Sequence, residues 1–205
     1  MGRRTIKNVN EKIIDGVLKE TFKNGISNLS TKKLTAKLGI SEPVLFSHFK
    51  TKQGLFDAVY SKCAENVHFC KGLPVEKVEF EKIWNVMENS INEMMSHPKE
   101  VVFMNEYRHS CYYNPALVRK LGSEELSFFD ASFHLHYPMA SNEQAEILTD
   151  NLLEQFIMIA AHLSRKDWPD TKSTRKILFM SVIYGLYGPQ LETSFSDETN
   201  QNNHI

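Results

Sequence analysis

The sequence predicts an all-α protein of about nine helices: a small N-terminal helix-turn-helix unit followed by a larger helical body. Three observations carry that prediction. Apolar residues recur three and four positions apart along most of the chain, the spacing of one helix face. Glycine and proline fall at helix-length intervals rather than inside the apolar runs. No stretch alternates apolar and polar residues as a half-buried strand does, and no internal repeat or long heptad run is present.

The first helix runs from about Asn10 to Lys23 and is closed by Asn24 and Gly25. Ser30 or Thr31 caps the second, which carries Leu34 and Leu38 four apart and stops at Leu38. Gly39 supplies the left-handed residue that reverses the chain, with Ile40 tucked under the corner. Ser41 caps the third helix, where Glu42 and Pro43 suit a first turn and Leu45 and Phe49 form an i, i+4 apolar pair. Two short helices joined by a glycine turn are the layout of a DNA-binding helix-turn-helix, whose second helix lies in the major groove.

Thr51 caps a fourth helix over about Lys52 to Phe69, and Lys71-Gly72-Leu73-Pro74 separates head from body. This divides the chain into a head at 1–51, a connecting helix at 52–71, a body at 72–193 and a polar tail at 194–205. The fifth helix, about Glu76 to Ser96, has Trp84, Met87, Ile91 and Met94 on one broad face and ends at His97-Pro98. A sixth spans about Lys99 to Tyr112 and is stopped by Asn114-Pro115. The seventh covers about Ala116 to His136, broken near Gly122-Ser123 and closed by Tyr137-Pro138. The eighth runs from about Asn142 to Arg165 with Ala145, Leu152, Phe156 and Leu163 on its stripe. The ninth, about Ser173 to Tyr187, is apolar nearly all round, so it needs cover on two sides. One side meets its own core. The other most simply meets a second copy of the chain, with Phe156, Ile177, Met180 and Tyr184 as candidate interface residues.

At 205 residues and 41% hydrophobic content the chain can bury a real core. No apolar run approaches the roughly 20 residues that span a bilayer, and residues 1–12 lack an apolar leader core. Three cysteines, Cys63, Cys70 and Cys111, without a C-x-x-C pair favour a reducing, cytoplasmic setting over a disulfide framework. The net charge of −1 conceals an asymmetry: residues 1–62 carry +7 and residues 63–205 carry −8. A basic head on an acidic body suits a head that binds nucleic acid.

The run Leu34 … Gly39-Ile40-Ser41 … Leu45-Phe46-Ser47-His48-Phe49 … Lys52 … Leu55, with Ile13, Leu18, Phe22 and Gly25 before it, resembles the N-terminal domain of the TetR (tetracycline repressor) family. The resemblance covers about residues 9–62. It implies a homodimeric transcriptional regulator, most often a repressor, whose helical C-terminal domain binds a small molecule. Phe46 stands where the family usually carries a tyrosine whose hydroxyl contacts a phosphate. Lys52 resembles the family's phosphate-binding lysine.

Chemistry assigns further roles on double-stranded DNA. Pro43 and Val44 offer apolar surface to a thymine methyl group, and Ser41 donates to a base or phosphate. Glu42 either accepts from cytosine or only favours the helix start. Ser47 and His48, one turn on, suit phosphate or base, with a core position as the alternative for His48. Thr31 and Lys32 open the second helix, where free N–H groups attract phosphate. Arg3, Arg4 and Lys7 form a basic arm that either enters the adjacent minor groove or trails in solvent. One head spans too few base pairs for a unique site, so two copies on a near-palindromic operator are expected.

In the body, Trp84, Met87, Phe103, Tyr107, Phe128 and Phe156 are candidates to line a pocket for a small, largely apolar effector, with plain core as the competing assignment. No cofactor or metal is expected. His109 and Cys111, like His134 and His136, lie two apart and do not share a helix face. No nucleophile elbow, phosphate loop or metal-ligand motif suggests an enzyme. The alternative reading is a helical protein-interaction or ligand-binding module that does not read DNA sequence.

Overall fold

The computed structural model describes residues 2–67, 80–122, 133–134 and 137–187. All regular structure among them is helical: α1 (Gly2–Asn24), a 3₁₀ turn (Ile26–Asn28), α2 (Thr31–Leu38), α3 (Glu42–Phe49), α4 (Lys52–Asn66), α5 (Phe80–Ser96), α6 (Pro98–Arg108), α7 (115–122), α8 (Asn142–Arg165) and α9 (Lys172–Tyr187). Phe128, the expected head–body boundary at 71–74, the expected break beyond Gly122 and the tail after Thr193 lie outside the described residues.

Several helix ends differ from expectation, each for a local reason. α1 starts at Gly2 instead of near Asn10, because nothing in residues 3–15 breaks a helix once it is nucleated. Arg3, Arg4 and Lys7 are thus carried on helical backbone and do not form an extended arm. α4 stops at Asn66, three residues short of Phe69, with Val67 in an extended conformation. α6 ends at Arg108 because Ser110 turns its hydroxyl onto the Tyr107 carbonyl (2.8 Å) and accepts from the Tyr112 N–H (3.1 Å), winding the chain into a turn. α7 starts at 115, capped by the Asn114 side chain, which accepts from the Leu117 N–H. α8 matches its expected span: Ser141 and Gln144 satisfy one another's backbone N–H groups in a capping box.

α6 is the central strut. It packs against α1, α4, α5 and α8, with Val101, Phe103, Met104 and Tyr107 buried along it. One hydrophobic cluster runs without interruption from Ile13, Leu34 and Leu45 in the head, through Phe56 and Phe103, to Phe156 and Phe179 in the body. Gly16 serves this packing. A side chain there would meet the Leu34 and Leu38 methyl groups at 3.0–3.2 Å, so its small size lets α1 lie close on α2.

Two polar contacts cross the same joint. Asp57 on α4 accepts from the Tyr107 hydroxyl (2.6 Å), the Gln53 amide (2.6 Å) and the Asn114 amide (3.2 Å). Burial, then the hydrogen bond and charge of Asp57, raise the Tyr107 phenol far above its ordinary range, so it stays a donor. Glu106 on α6 accepts from the Ile26 N–H in the head and pairs with Arg165 at the end of α8, which also donates to the Thr21 carbonyl (3.1 Å). Further along, the buried Arg108 joins α6 to Asp150 (2.7 Å) and Glu154 of α8.

The step from α3 to α4 is equally tight. A Cβ at Gly54 would lie 2.3 Å from the Phe49 carbonyl oxygen, a backbone atom that cannot yield without moving α3. Alanine ordinarily favours a helix over glycine by about 1 kcal/mol. Gly54→Ala is nevertheless expected to destabilise the fold, by about 1–3 kcal/mol, as overpacking does. Equilibrium denaturation of the two proteins checks the sign.

Candidate nucleic-acid interface

The head is assembled from local signals that agree with one another. The Ser30 hydroxyl accepts from the Lys33 N–H and starts α2. Gly39 sits in the left-handed region (φ 65°, ψ 34°), which lets its own N–H and that of Ile40 return to the carbonyls of Ala36 and Thr35. Lys12 of α1 donates to the Leu38 carbonyl (2.8 Å), placing a cation at the negative end of α2. α3 begins after Ser41, with Pro43 at the second helical position, where its missing N–H leaves no unmet bond. Leu45 and Phe49 are buried beneath it, and Lys50 donates to the Ser47 carbonyl (3.1 Å) at its end.

This geometry turns one face of α3 outward. Ser41, Pro43, Val44, Ser47 and Lys50 are exposed, flanked by exposed Lys32, Lys33 and Ala36 on α2. Val44 is 38% accessible, while Leu45 and Phe49 anchor the helix from its other side. Ser41 is exposed and makes no side-chain cap bond, so its hydroxyl does not satisfy the first N–H groups of α3. The two helices of the motif thus expose both lysines and the apolar pair Pro43 and Val44.

Several expected contacts are placed differently. Glu42 is half-buried and accepts from the Thr31 hydroxyl (2.7 Å), so the carboxylate ties the starts of α2 and α3 together. Its placement fits the helix-start role better than cytosine reading, and the Thr31 hydroxyl is likewise engaged there. Phe46 is half-buried against the core and His48 is half-buried beside Phe49. Ser47 donates its proton to the Val44 carbonyl (2.7 Å). Lys52 departs furthest: its ammonium donates to the Leu29 carbonyl (2.9 Å) and lies over the rings of Phe56 (5.5 Å) and Tyr112 (5.3 Å). It joins head to body where a free phosphate contact was expected. Lys50, not singled out in the sequence, carries an exposed cation beside the outward face.

Four of the body residues expected to line a pocket lie in the core of this conformation, Trp84 is half-buried, and Phe128 lies outside the described residues. Met87, Phe103, Tyr107 and Phe156 are buried, and Trp84 meets Phe179 edge-on at 5.0 Å. The concavities of about 620 and 500 Å³ lie elsewhere, one at Tyr137–Leu148 and one between Met95 and the α8–α9 turn. Phe156 is 3% accessible and offers no surface to a second chain. Ile177 (70%) and Tyr184 (38%) are exposed, with Met180 half-buried between them along α9. Phe179, Val182 and Ile183 form that helix's buried side, so α9 is two-faced rather than apolar all round. Among the described residues no group of acidic, histidine or cysteine side chains is arranged to hold a metal ion, and no helix is long and apolar enough to cross a membrane.

Comparison with known proteins agrees with this geometry. Residues 13–59 match the family of bacterial regulatory proteins of the tetR type. A 49-residue segment is 45% identical to the class D tetracycline repressor protein of Escherichia coli, covering 24% of this chain and 22% of that repressor. The chain thus matches about a fifth of that protein's length. The crystal structure of a TetR family transcription regulator from Marinobacter aquaeolei superposes with a TM-score of 0.61 over 88% of this chain and 96% of the other, at 14% identity. BioQ bound to its double-stranded DNA operator superposes with a TM-score of 0.57 over 87% and 97% of the two chains, at 15% identity. At such identities the likeness is one of fold.

Lys52→Ala removes one charged hydrogen bond and two ring contacts, and is expected to lower stability by about 1–2 kcal/mol. A lysine serving only phosphate leaves the melting temperature unchanged when truncated, so thermal denaturation separates the two roles.

Proposed function

We propose that this chain, whose residues 13–59 form a TetR-family helix-turn-helix domain, is a non-enzymatic cytoplasmic transcriptional regulator that binds a near-palindromic operator as a homodimer. The observation that carries this reading is the outward face of α3, where Pro43 and Val44 are exposed together with Lys32, Lys33 and Lys50, in an N-terminal segment (residues 1–62) of charge +7. Lysines neutralise phosphates and release counterions, while α3 enters the major groove. The acidic body, of charge −8 over residues 63–205, is repelled by the duplex and so favours docking through the head.

Pairing follows from the exposed side of α9. Ile177 and Tyr184 lie seven residues apart on one stripe with Met180 between, a surface that a second copy covers. Two heads then meet half-sites about 34–36 Å apart, one turn of DNA. Repression and its release by a small, largely apolar effector complete the proposal. The aromatic and methionine content of the body around Trp84, Met87 and Phe156 supports such a ligand, which would enter by separating side chains that this conformation packs together. To relieve operator binding tenfold, the effector must favour the DNA-incompatible arrangement by about 1.4 kcal/mol.

Selection of bound duplexes from a random pool tests the reading. An inverted repeat with half-site centres one turn apart is expected, and failure to enrich any sequence counts against it. Ile177→Asp combined with Tyr184→Asp is expected to give a single-chain mass in sedimentation. Losing the second head should weaken operator binding by about 100-fold or more.

A further inference from the structure

We infer that the head discriminates its operator chiefly by the C5-methyl groups of thymine, held against Pro43 and Val44, and not by paired hydrogen bonds to base edges. The inference rests on the reading of the head as a duplex-binding unit and names what that unit recognises. It is reached by accounting for every side chain of α3 that could read a base. The strong polar readers of the major groove are arginine or lysine on guanine and asparagine or glutamine on adenine. α3, Glu42 to Phe49, contains none of these four residue types.

The polar groups it does contain are mostly committed within the protein. Glu42 is held at the α2–α3 junction by Thr31. Ser47 donates its proton to the Val44 carbonyl, and its one hydroxyl makes no paired contact to a base edge. His48 is half-buried a turn along the helix, beside Phe49. Leu45 and Phe49 are core, and Phe46 leans on it. The exposed side chains at the start of the helix are therefore Ser41, a single hydroxyl that cannot make a paired contact to a base edge, and the ridge of Pro43 and Val44, both without a side-chain polar atom.

Such a ridge distinguishes bases by a single feature. Among the four bases only thymine presents an apolar group in the major groove, its C5-methyl, and burying a methyl against aliphatic surface is favourable. Placed against guanine or cytosine edges, the same ridge would strip water from polar atoms and return no hydrogen bond. The arrangement thus attracts thymine and penalises its competitors. Lys32, Lys33 and Lys50 carry charge near the ridge but sit on α2 or past the end of α3, positions suited to phosphates, which set register and carry no sequence information.

The test compares thymine with deoxyuridine, which keeps the pairing edge and lacks only the methyl. With the full-length protein on its selected duplex, replacement of the critical thymines one at a time is expected to weaken binding about fourfold for each methyl seated on the ridge. Random-sequence duplex should bind equally with either base. Val44→Ala or Pro43→Ala should bring the thymine-to-deoxyuridine ratio toward one at a position of the half-site, with the salt dependence unchanged. If deoxyuridine at every thymine leaves specific binding intact, or both variants keep full discrimination, the inference is overturned while the duplex-binding reading stands. Absence of any salt-dependent duplex binding by the wild-type protein would overturn the reading and the inference together.

Discussion

The position of the head depends on one joint, where α4 and the 3₁₀ turn meet α6. Tyr107 sits at its centre, fully buried, stacked toward Phe103, tilted against Tyr60 and bonded through its hydroxyl to Asp57. A phenol buried there must keep its hydrogen bond, because an unmet buried donor costs about 1–3 kcal/mol. The carboxylate that answers it belongs to the helix that starts immediately after α3. Any movement of α6 along its axis therefore either carries α4 with it or breaks a charged hydrogen bond.

The second contact fixes what the first leaves free. Glu106, one residue before Tyr107, holds the Ile26 N–H on one side and Arg165 on the other. Arg165 in turn reaches the end of α1 through Thr21. With Lys52 bridging Leu29 and Tyr112, the head is held at the ends of α1 and α4 and at the turn before α2. Three polar attachments around a continuous apolar core leave little room for a hinge within the head. They tie the head to α6 and α8, so that a shift of α6 is passed to α4 and to the turn before α2.

Much of this was legible in the residues, and the division has a physical basis. The caps at Ser30, Thr51 and Ser141 and the glycine turn at Gly39 are encoded within a few positions, so α2, α3 and α8 fall where the sequence places them. The joint is invisible to such reasoning. Asp57 and Tyr107 are 50 residues apart and Thr21 and Arg165 are 144, and neither pair has a local signature. Lys52 is a further case: its place in the motif suggests a phosphate ligand, and nothing local announces the Leu29 carbonyl and the Tyr112 ring that the fold brings to its cation. Aromatic periodicity in the body likewise told core from surface but not core from pocket. Met87, Phe103 and Phe156 face inward under either assignment.

The central claim is that the body sets the geometry with which two heads meet DNA. Tyr107→Phe tests it most directly, since it deletes one oxygen at the joint and touches neither the outward face of α3 nor α9. Affinities for the selected operator and for random duplex should be measured side by side. The account predicts that operator affinity falls by about fivefold or more, the lower range of typical coupling between sites, while random-duplex affinity is unchanged. Equal affinity of the variant and the wild type for the operator would contradict it.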